Sequence, residues 1–239
     1  MSSQKNDRNK IYDFLTNLKV VKYSTIIAFM TFVICTTLGY IIAQFDPAGP
    51  GADPAGYNIM DSYLSDMGSI RYTPWPYFPV IGNIISAILL IPTIVYMGKI
   101  LTEIQNESEE SSYVQKILGF IGAFWMFIGL IGRFGLGVFS EDVSRMFPLP
   151  LHWYFTVLEF AGLTFGGIFF GLIIVSYKTL LPKPLGGYMI FVPTILAVMA
   201  FSQGLQPIEE WILTFSIIGY LFVGGIIVLR YINIELASK

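Results

Sequence analysis

The sequence is poor in the residues that build metal and redox sites. Among 239 residues there is one cysteine, Cys35, and one histidine, His152. A lone thiol excludes an internal disulfide and a cysteine-based metal site, and a lone imidazole argues against an imidazole-rich metal site or a bis-histidine haem. Two carboxylates beside His152 could hold zinc, but transition metals usually recruit more imidazole. We therefore predict no metal and no cofactor.

Charge is equally scarce. Only 13% of the residues are charged, whereas 54% are hydrophobic, and a soluble domain usually carries about 25% charged residues. Such a chain has too little polar surface to cover a water-soluble globule. The net charge of −2 gives no indication of a nucleic-acid partner, and we predict no soluble partner. The sequence also lacks GxSxG, HExxH, CxxC, P-loop and Rossmann motifs, so it leaves open whether the protein is an enzyme.

The sequence is instead rich in long apolar segments. Crossing about 30 Å of hydrocarbon requires roughly 20 residues of helix, and six stretches are long enough: 24–44, 77–98, 114–138, 153–177, 187–206 and 208–230. The sequence predicts an all-α, six-helix transmembrane bundle over 24–230. It is flanked by tails at 1–23 and 231–239, and its longest connection is an outer loop at 45–76.

The N-terminal tail contains a helical pattern of its own. Apolar residues in IYDFLTNLKVVK recur at helical spacing, with Lys19 and Lys22 elsewhere on the helical wheel. This pattern is typical of an amphipathic helix lying in the membrane interface. A helical extension of the first span is the alternative.

The distribution of basic residues orients the bundle. With six spans and the N-terminus in the cytoplasm, every lysine falls on the cytoplasmic side, and only Arg71, Arg133 and Arg145 fall outside. The positive-inside rule therefore predicts cytoplasmic termini and an outer loop that faces away from the cytoplasm. The expected location is the cell membrane, as a multi-pass protein, or an internal membrane if the source is eukaryotic.

Nine of the 16 acidic residues lie on the predicted outer side, together with His152 and three arginines. Arg133 lies in the apolar, glycine-rich context FIGLIGRFGLGVF, and a buried guanidinium needs a carboxylate or phosphate partner. Asp61, Asp66 and Glu159 are candidates for an internal staple, and an anionic lipid headgroup is the alternative. Glu209 and Glu210 follow Pro207, where carboxylates suit a helix N-terminus, so we give them a structural interpretation first.

His152 and Glu159 are seven residues apart, which places them on one helix face about 10 Å apart along the axis. An imidazole ordinarily titrates near neutrality, so His152 is a candidate general acid or base. An interfacial histidine beside Trp153 and Tyr154 is the alternative. Two GxxxG pairs in the same span, Gly162/Gly166 and Gly167/Gly171, favour tight internal packing and leave a helix-mediated oligomer open.

Two stretches resemble a known family. The S-D-x-G turn in YLSDMGSIRYTPWPYFPVIGNIISAILL and the segment GVFSEDVSRMFPLPLHW are similar to the domain-of-unknown-function family 998 and to the Frag/DRAM/Sfk group of six-span membrane proteins. The resemblance implies six helices with an outward polar pocket. Because eukaryotic relatives are linked to lipid remodelling, it also favours a function in lipid handling. By position it picks out these residues: Ser65, Asp66, Gly68, Asp142 and His152.

Three functional hypotheses follow. The protein recognises or remodels a lipid headgroup, with Asp66, Asp142 and His152 as catalytic residues. Under this hypothesis the partner is a membrane lipid, and the residues that bind it are Arg133, Glu159, Asp61 and Ser65. Alternatively, it is a non-catalytic scaffold or lipid-binding subunit whose polar groups staple the helices. The third possibility is a small proton-coupled transporter with Glu159 as its intramembrane proton site.

Overall fold

A computed structural model describes residues 10–49, 51–53, 55–102 and 112–237. Within these ranges the chain is all-helical and contains no strand. The polar residues 1–9, the acidic connector 103–111 and residues 238–239 lie outside the described residues, so the predictions that concern them have no structural counterpart.

Six helices are long and apolar enough to cross a membrane. They are α2 (Leu18–Phe45), α3 (Tyr77–Thr102), α4 (Tyr113–Val138), α6 (Leu151–Ser176), α7 (Lys183–Gln203) and α8 (Pro207–Ala237). Shorter elements are α1 (10–15), a 3-10 helix (Leu64–Gly68) and α5 (Glu141–Ser144). The six helices coincide with the six predicted spans, which confirms the all-helical architecture of the described residues.

Helix ends differ from the predicted ends for local reasons. α2 begins at Leu18 because the Asn17 side chain accepts hydrogen bonds from the Lys19 and Val20 backbone nitrogens. α7 ends at Gln203, three residues before the predicted end, because Gly204 adopts a φ of 82°. Pro193 does not interrupt α7, which continues through it.

The helices run alternately up and down. Val21 of α2, Tyr96 of α3 and Ile232 of α8 form one apolar cluster. Ala43 and Trp211, from the opposite ends of α2 and α8, form another with Tyr57 and Met67 of the long loop. We call the second end the loop end, because the connections 46–76, 139–150 and 204–206 lie there.

The outer surface is apolar along the helices. α2 exposes Ile27, Met30 and Val33, and α7 exposes Phe191 and Val198 at 63% and 64%. Contiguous apolar surface of this kind is costly in water and is expected against lipid. Together with the length of the six helices, it indicates an integral membrane protein.

The bundle is organised around α6, the most buried of the six spans. Its glycines bring neighbouring backbones into contact: a methyl group at Gly162 would overlap the Gly129 backbone of α4, and one at Gly171 would overlap the Gly186 carbonyl oxygen of α7. The GxxxG residues therefore lie inside the bundle, as expected for tight internal packing. The core around them contains Leu130, Leu163 and Phe170.

Candidate functional site

Close helix packing brings the two buried charges together. A side chain at Gly132 of α4 would overlap the backbone nitrogen of Glu159 on α6. Because Gly132 has none, the two backbones touch at this level. The neighbouring Arg133 then reaches Glu159, and its Nη1 donates to Glu159 Oε1 at 2.6 Å. The charged pair is nearly inaccessible, with Arg133 at 2% and Glu159 at 5% exposure.

Arg133 makes two further contacts. Its Nε donates to Ser86 Oγ of α3 at 2.8 Å, and its guanidinium carbon lies 4.8 Å from the centre of the Phe32 ring of α2. Its Nη2 is buried and has no hydrogen-bond partner among the described residues. A buried guanidinium N–H without an acceptor is costly, so Nη2 is suited to an oxygen that is not part of the protein.

His152 opens α6 at the loop end. Its Nδ1 lies 3.0 Å from the Phe139 carbonyl oxygen, and its backbone nitrogen donates to Ser144 Oγ at 3.0 Å. A carbonyl oxygen only accepts, so Nδ1 carries the proton. In the neutral ring, Nε2 is therefore an acceptor. This atom is buried and has no partner within the described part of the chain.

The long loop is attached to the end of the bundle by side chains that bond its backbone. Trp211 Nε1 of α8 donates to the Ser62 carbonyl oxygen at 3.2 Å, and Tyr63 Oη donates to the Leu205 carbonyl oxygen at 2.9 Å. Tyr57 is 6% exposed and also bonds this segment. Burial, together with the Glu210 and Asp66 carboxylates, raises the pKa of Tyr57, so its hydroxyl stays a donor. The 3-10 helix consequently covers the polar interior.

Asp142 fastens the same loop to α5. One carboxylate oxygen accepts from Ser69 Oγ at 2.7 Å, and the other accepts from the Ile70 backbone nitrogen at 2.8 Å. With both oxygens bonded to the loop, Asp142 is placed to hold it. It does not line the cavities described below.

Asp66 lies within the 3-10 helix and is 4% exposed. Its Oδ2 accepts from the Tyr63 backbone nitrogen at 2.8 Å. Burial and the nearby Glu141 carboxylate raise the pKa of Asp66 from 3.8 to about 7. Asp61 is exposed and accepts from Asn58 Nδ2 at 2.6 Å. Both aspartates line a separate cavity of about 220 Å³ beneath the loop.

Two cavities meet at the loop end. The inner cavity, of about 50 Å³, reaches Arg133 and Glu159 between the helices, and the outer cavity, of about 320 Å³, is bounded by the loop, α5 and the start of α6. Ser65, His152 and Glu210 line both. The structure thus brings four predicted residues to one place: Arg133, His152, Glu159 and Ser65.

The sequence interpretation missed the inward position of Glu210. Its Oε2 accepts from the Ser65 backbone nitrogen at 3.3 Å, and the residue is 5% exposed. Glu209 instead accepts from the Gln206 backbone nitrogen, as expected of a carboxylate at a helix start. The overlooked signal is spacing. Glu210 falls in helical register with small or polar residues of α8, namely Thr214, Gly224 and Gly225, which are also buried.

Charges of both signs converge on the two cavities. Arg133 is paired with Glu159, and Arg145 donates to Glu141 at 3.0 Å. Glu210 has no cationic partner among the described residues. No group of three or more metal-ligating side chains occurs in the described ranges. The arrangement can accept a small polar group that supplies oxygens to Arg133 and a donor to His152 and Glu210.

No family model, curated protein or solved structure matches the chain. The resemblance to the domain-of-unknown-function family 998 therefore remains a prediction that rests on its two sequence stretches.

Proposed function

We propose that this integral membrane protein binds the headgroup of a membrane lipid in the two joined cavities at the loop end. The observation that carries the proposal is the pair of buried polar atoms without partners, Arg133 Nη2 and His152 Nε2, on the wall of the inner cavity. One needs an acceptor and the other, in the neutral ring, needs a donor. A lipid headgroup offers both.

The size and position of the outer cavity support a headgroup. Its volume of about 320 Å³ lies at the lower end of the range of roughly 300–1,000 Å³ typical of ligand sites. Trp153 lines it and is 44% exposed, and tryptophan favours the level of lipid headgroups. A headgroup could enter here while its acyl chains remain beside the apolar helices.

The distribution of basic residues supports an orientation in which the loop end faces away from the cytoplasm. Lys22 lies near the start of α2, and Lys99 lies in the last turn of α3, at the opposite end from the loop. In this orientation the lipid would come from the outer leaflet. Tagging the C-terminus and measuring its protection in sealed vesicles tests the orientation independently of binding.

The binding experiment uses protein purified from membranes in a mild detergent. Native mass spectrometry should detect one retained lipid per chain. Ser65→Phe, which places a ring where the two cavities meet, should abolish retention. Ser202→Phe is the matched control, since Ser202 is exposed at the same end of the bundle and should retain the lipid. Equal retention by both variants would contradict the proposal.

A purely structural role is the second candidate, and the contacts of Arg133 favour it. The guanidinium is already held by Glu159, Ser86 and the Phe32 ring, as a helix staple would be. The staple account leaves Nη2 and His152 Nε2 unexplained, whereas headgroup binding includes them. A proton carrier centred on Glu159 would have to break the 2.6 Å ion pair in each cycle, so we favour it least.

A further inference from the structure

The carboxylate of Glu210 has no counterion in the part of the chain that the structure describes. It is 5% exposed, lines both cavities and accepts a hydrogen bond from the Ser65 backbone nitrogen at 3.3 Å. The two arginines that line the same cavities are each paired with another carboxylate. A buried carboxylate in this situation needs either a proton or an external cation.

His152 presents a second acceptor on the same walls. Its Nδ1 proton faces the Phe139 carbonyl oxygen, which leaves Nε2 of the neutral ring as a lone-pair acceptor. Glu210 and Nε2 thus both favour a group with several N–H donors. An ammonium group has three donors and a positive charge, so it satisfies both.

We propose that the headgroup ends in a primary ammonium, which Glu210 and His152 hold where the two cavities meet. This inference rests on the proposed function and specifies the class of lipid. Phosphatidylethanolamine and phosphatidylserine carry this group, whereas phosphatidylcholine and phosphatidylglycerol do not.

The dimensions of the site favour a small cation. The inner cavity holds about 50 Å³, and one water requires roughly 10–15 Å³ by this measure. A primary ammonium is comparable in size to a water molecule and fits at the entrance of this cavity. A trimethylammonium group is several times larger and has no N–H donors.

A phosphate has its own place in the outer cavity. Arg145 lines that cavity, and its side chain is 47% exposed. One of its nitrogens donates to Glu141, and the guanidinium fork retains further donors for phosphate oxygens. With the ammonium at the boundary of the two cavities, the phosphate lies in the outer cavity and the acyl chains lie in the membrane. In phosphatidylserine, the carboxylate beside the ammonium also supplies an oxygen to Arg133 Nη2 in the inner cavity.

The test measures binding of four lipids to the purified protein in nanodiscs of varied composition. Phosphatidylethanolamine or phosphatidylserine should bind about tenfold or more tightly than phosphatidylcholine and phosphatidylglycerol, because only the primary amine pairs with the buried carboxylate. Comparing the affinities for phosphatidylethanolamine and phosphatidylserine shows which of the two headgroups the site prefers.

Glu210→Gln should remove this preference while weak binding of phosphatidylglycerol persists, which shows that the variant is folded. Glu209→Gln, on the same helical turn, should keep the preference. Equal binding of all four lipids by the parent protein, or an unchanged preference in Glu210→Gln, would overturn the amine assignment and leave headgroup recognition intact. Binding of none of the four would overturn both proposals.

Discussion

Arg133 on α4 and Glu159 on α6 form an ion pair of 2.6 Å at a level where the two helix backbones touch. Arg133 is the least exposed charged residue of the described chain, and both members of the pair line the inner cavity. Stability and ligand binding are therefore linked at this position, and variants can separate them.

Replacing Arg133 with alanine should destabilise the protein strongly. The change leaves the Glu159 carboxylate buried and unpaired, and breaking a buried pair in this way costs about 3–5 kcal/mol. Thermal unfolding in detergent measures the effect. Arg145→Ala removes a partly exposed pair and should cost about 0–1 kcal/mol.

The double variant Arg133→Met, Glu159→Leu sharpens this test. Because it removes both charges, it should recover most of the stability that Arg133→Ala loses. It should nevertheless lack the retained lipid, since the Nη2 donor is gone. A double variant that retains the lipid would show that Arg133 serves packing alone.

Gly132→Ala should also destabilise the bundle. The added methyl group would overlap the Glu159 backbone nitrogen, and overpacking of this kind costs about 1–3 kcal/mol. Gly187→Ala is the matched control, because nothing lies within 4 Å of a side chain at that position. Alanine there should leave stability unchanged or raise it by up to about 1 kcal/mol. Equal effects of the two substitutions would contradict the close contact of α4 and α6.

Asp142→Ala should loosen the long loop without unfolding the helices. The change removes both acceptors that hold Ser69 and Ile70. Hydrogen exchange of the segment 61–76 should increase, while exchange in α4 and α6 stays constant. Asp61→Ala serves as the control, since Asp61 is exposed and bonds only Asn58 among the described residues. Unchanged exchange in Asp142→Ala would show that other contacts hold the loop.

The raised pKa of Asp66 predicts a dependence of stability on pH. Its pKa is about 7 in the folded protein against an ordinary value of 3.8, so between these pH values the folded state binds the proton and the unfolded state does not. The stabilisation is fully present below about pH 3.8 and is lost as the pH rises through about 7.

Asp66→Asn should flatten this part of the pH profile of the melting temperature. Asparagine keeps an acceptor for the Tyr63 backbone nitrogen and mimics the protonated acid beside Glu141. If the variant and the parent lose stability equally from pH 4 to pH 7, the dependence arises from another group.

The fold was largely predictable from the sequence because apolar length defines a membrane helix directly. The helix ends were less predictable. The start of α2 depends on the Asn17 side chain, and the end of α7 depends on the positive φ of Gly204. Both are local hydrogen-bonding or backbone features that hydropathy does not reveal.

The site was predictable in part. Arg133, Glu159 and His152 were identifiable because charge in an apolar run must face inward, and the structure places them on one cavity. The inward turn of Glu210 and the contact with Ser86 depend on how helices distant in sequence pack. Asp66 and Asp142 lie at the same end, but their carboxylates accept hydrogen bonds from the loop backbone. The sequence alone does not distinguish this structural role from a catalytic one.

The most direct test of headgroup binding is a high-resolution density map of the protein in nanodiscs made from native lipid extract. We expect lipid density that continues from the membrane into the outer cavity, with headgroup atoms within hydrogen-bonding distance of His152 Nε2. Cavities that contain only ordered water, in a map that resolves lipids around the helices, would contradict the account.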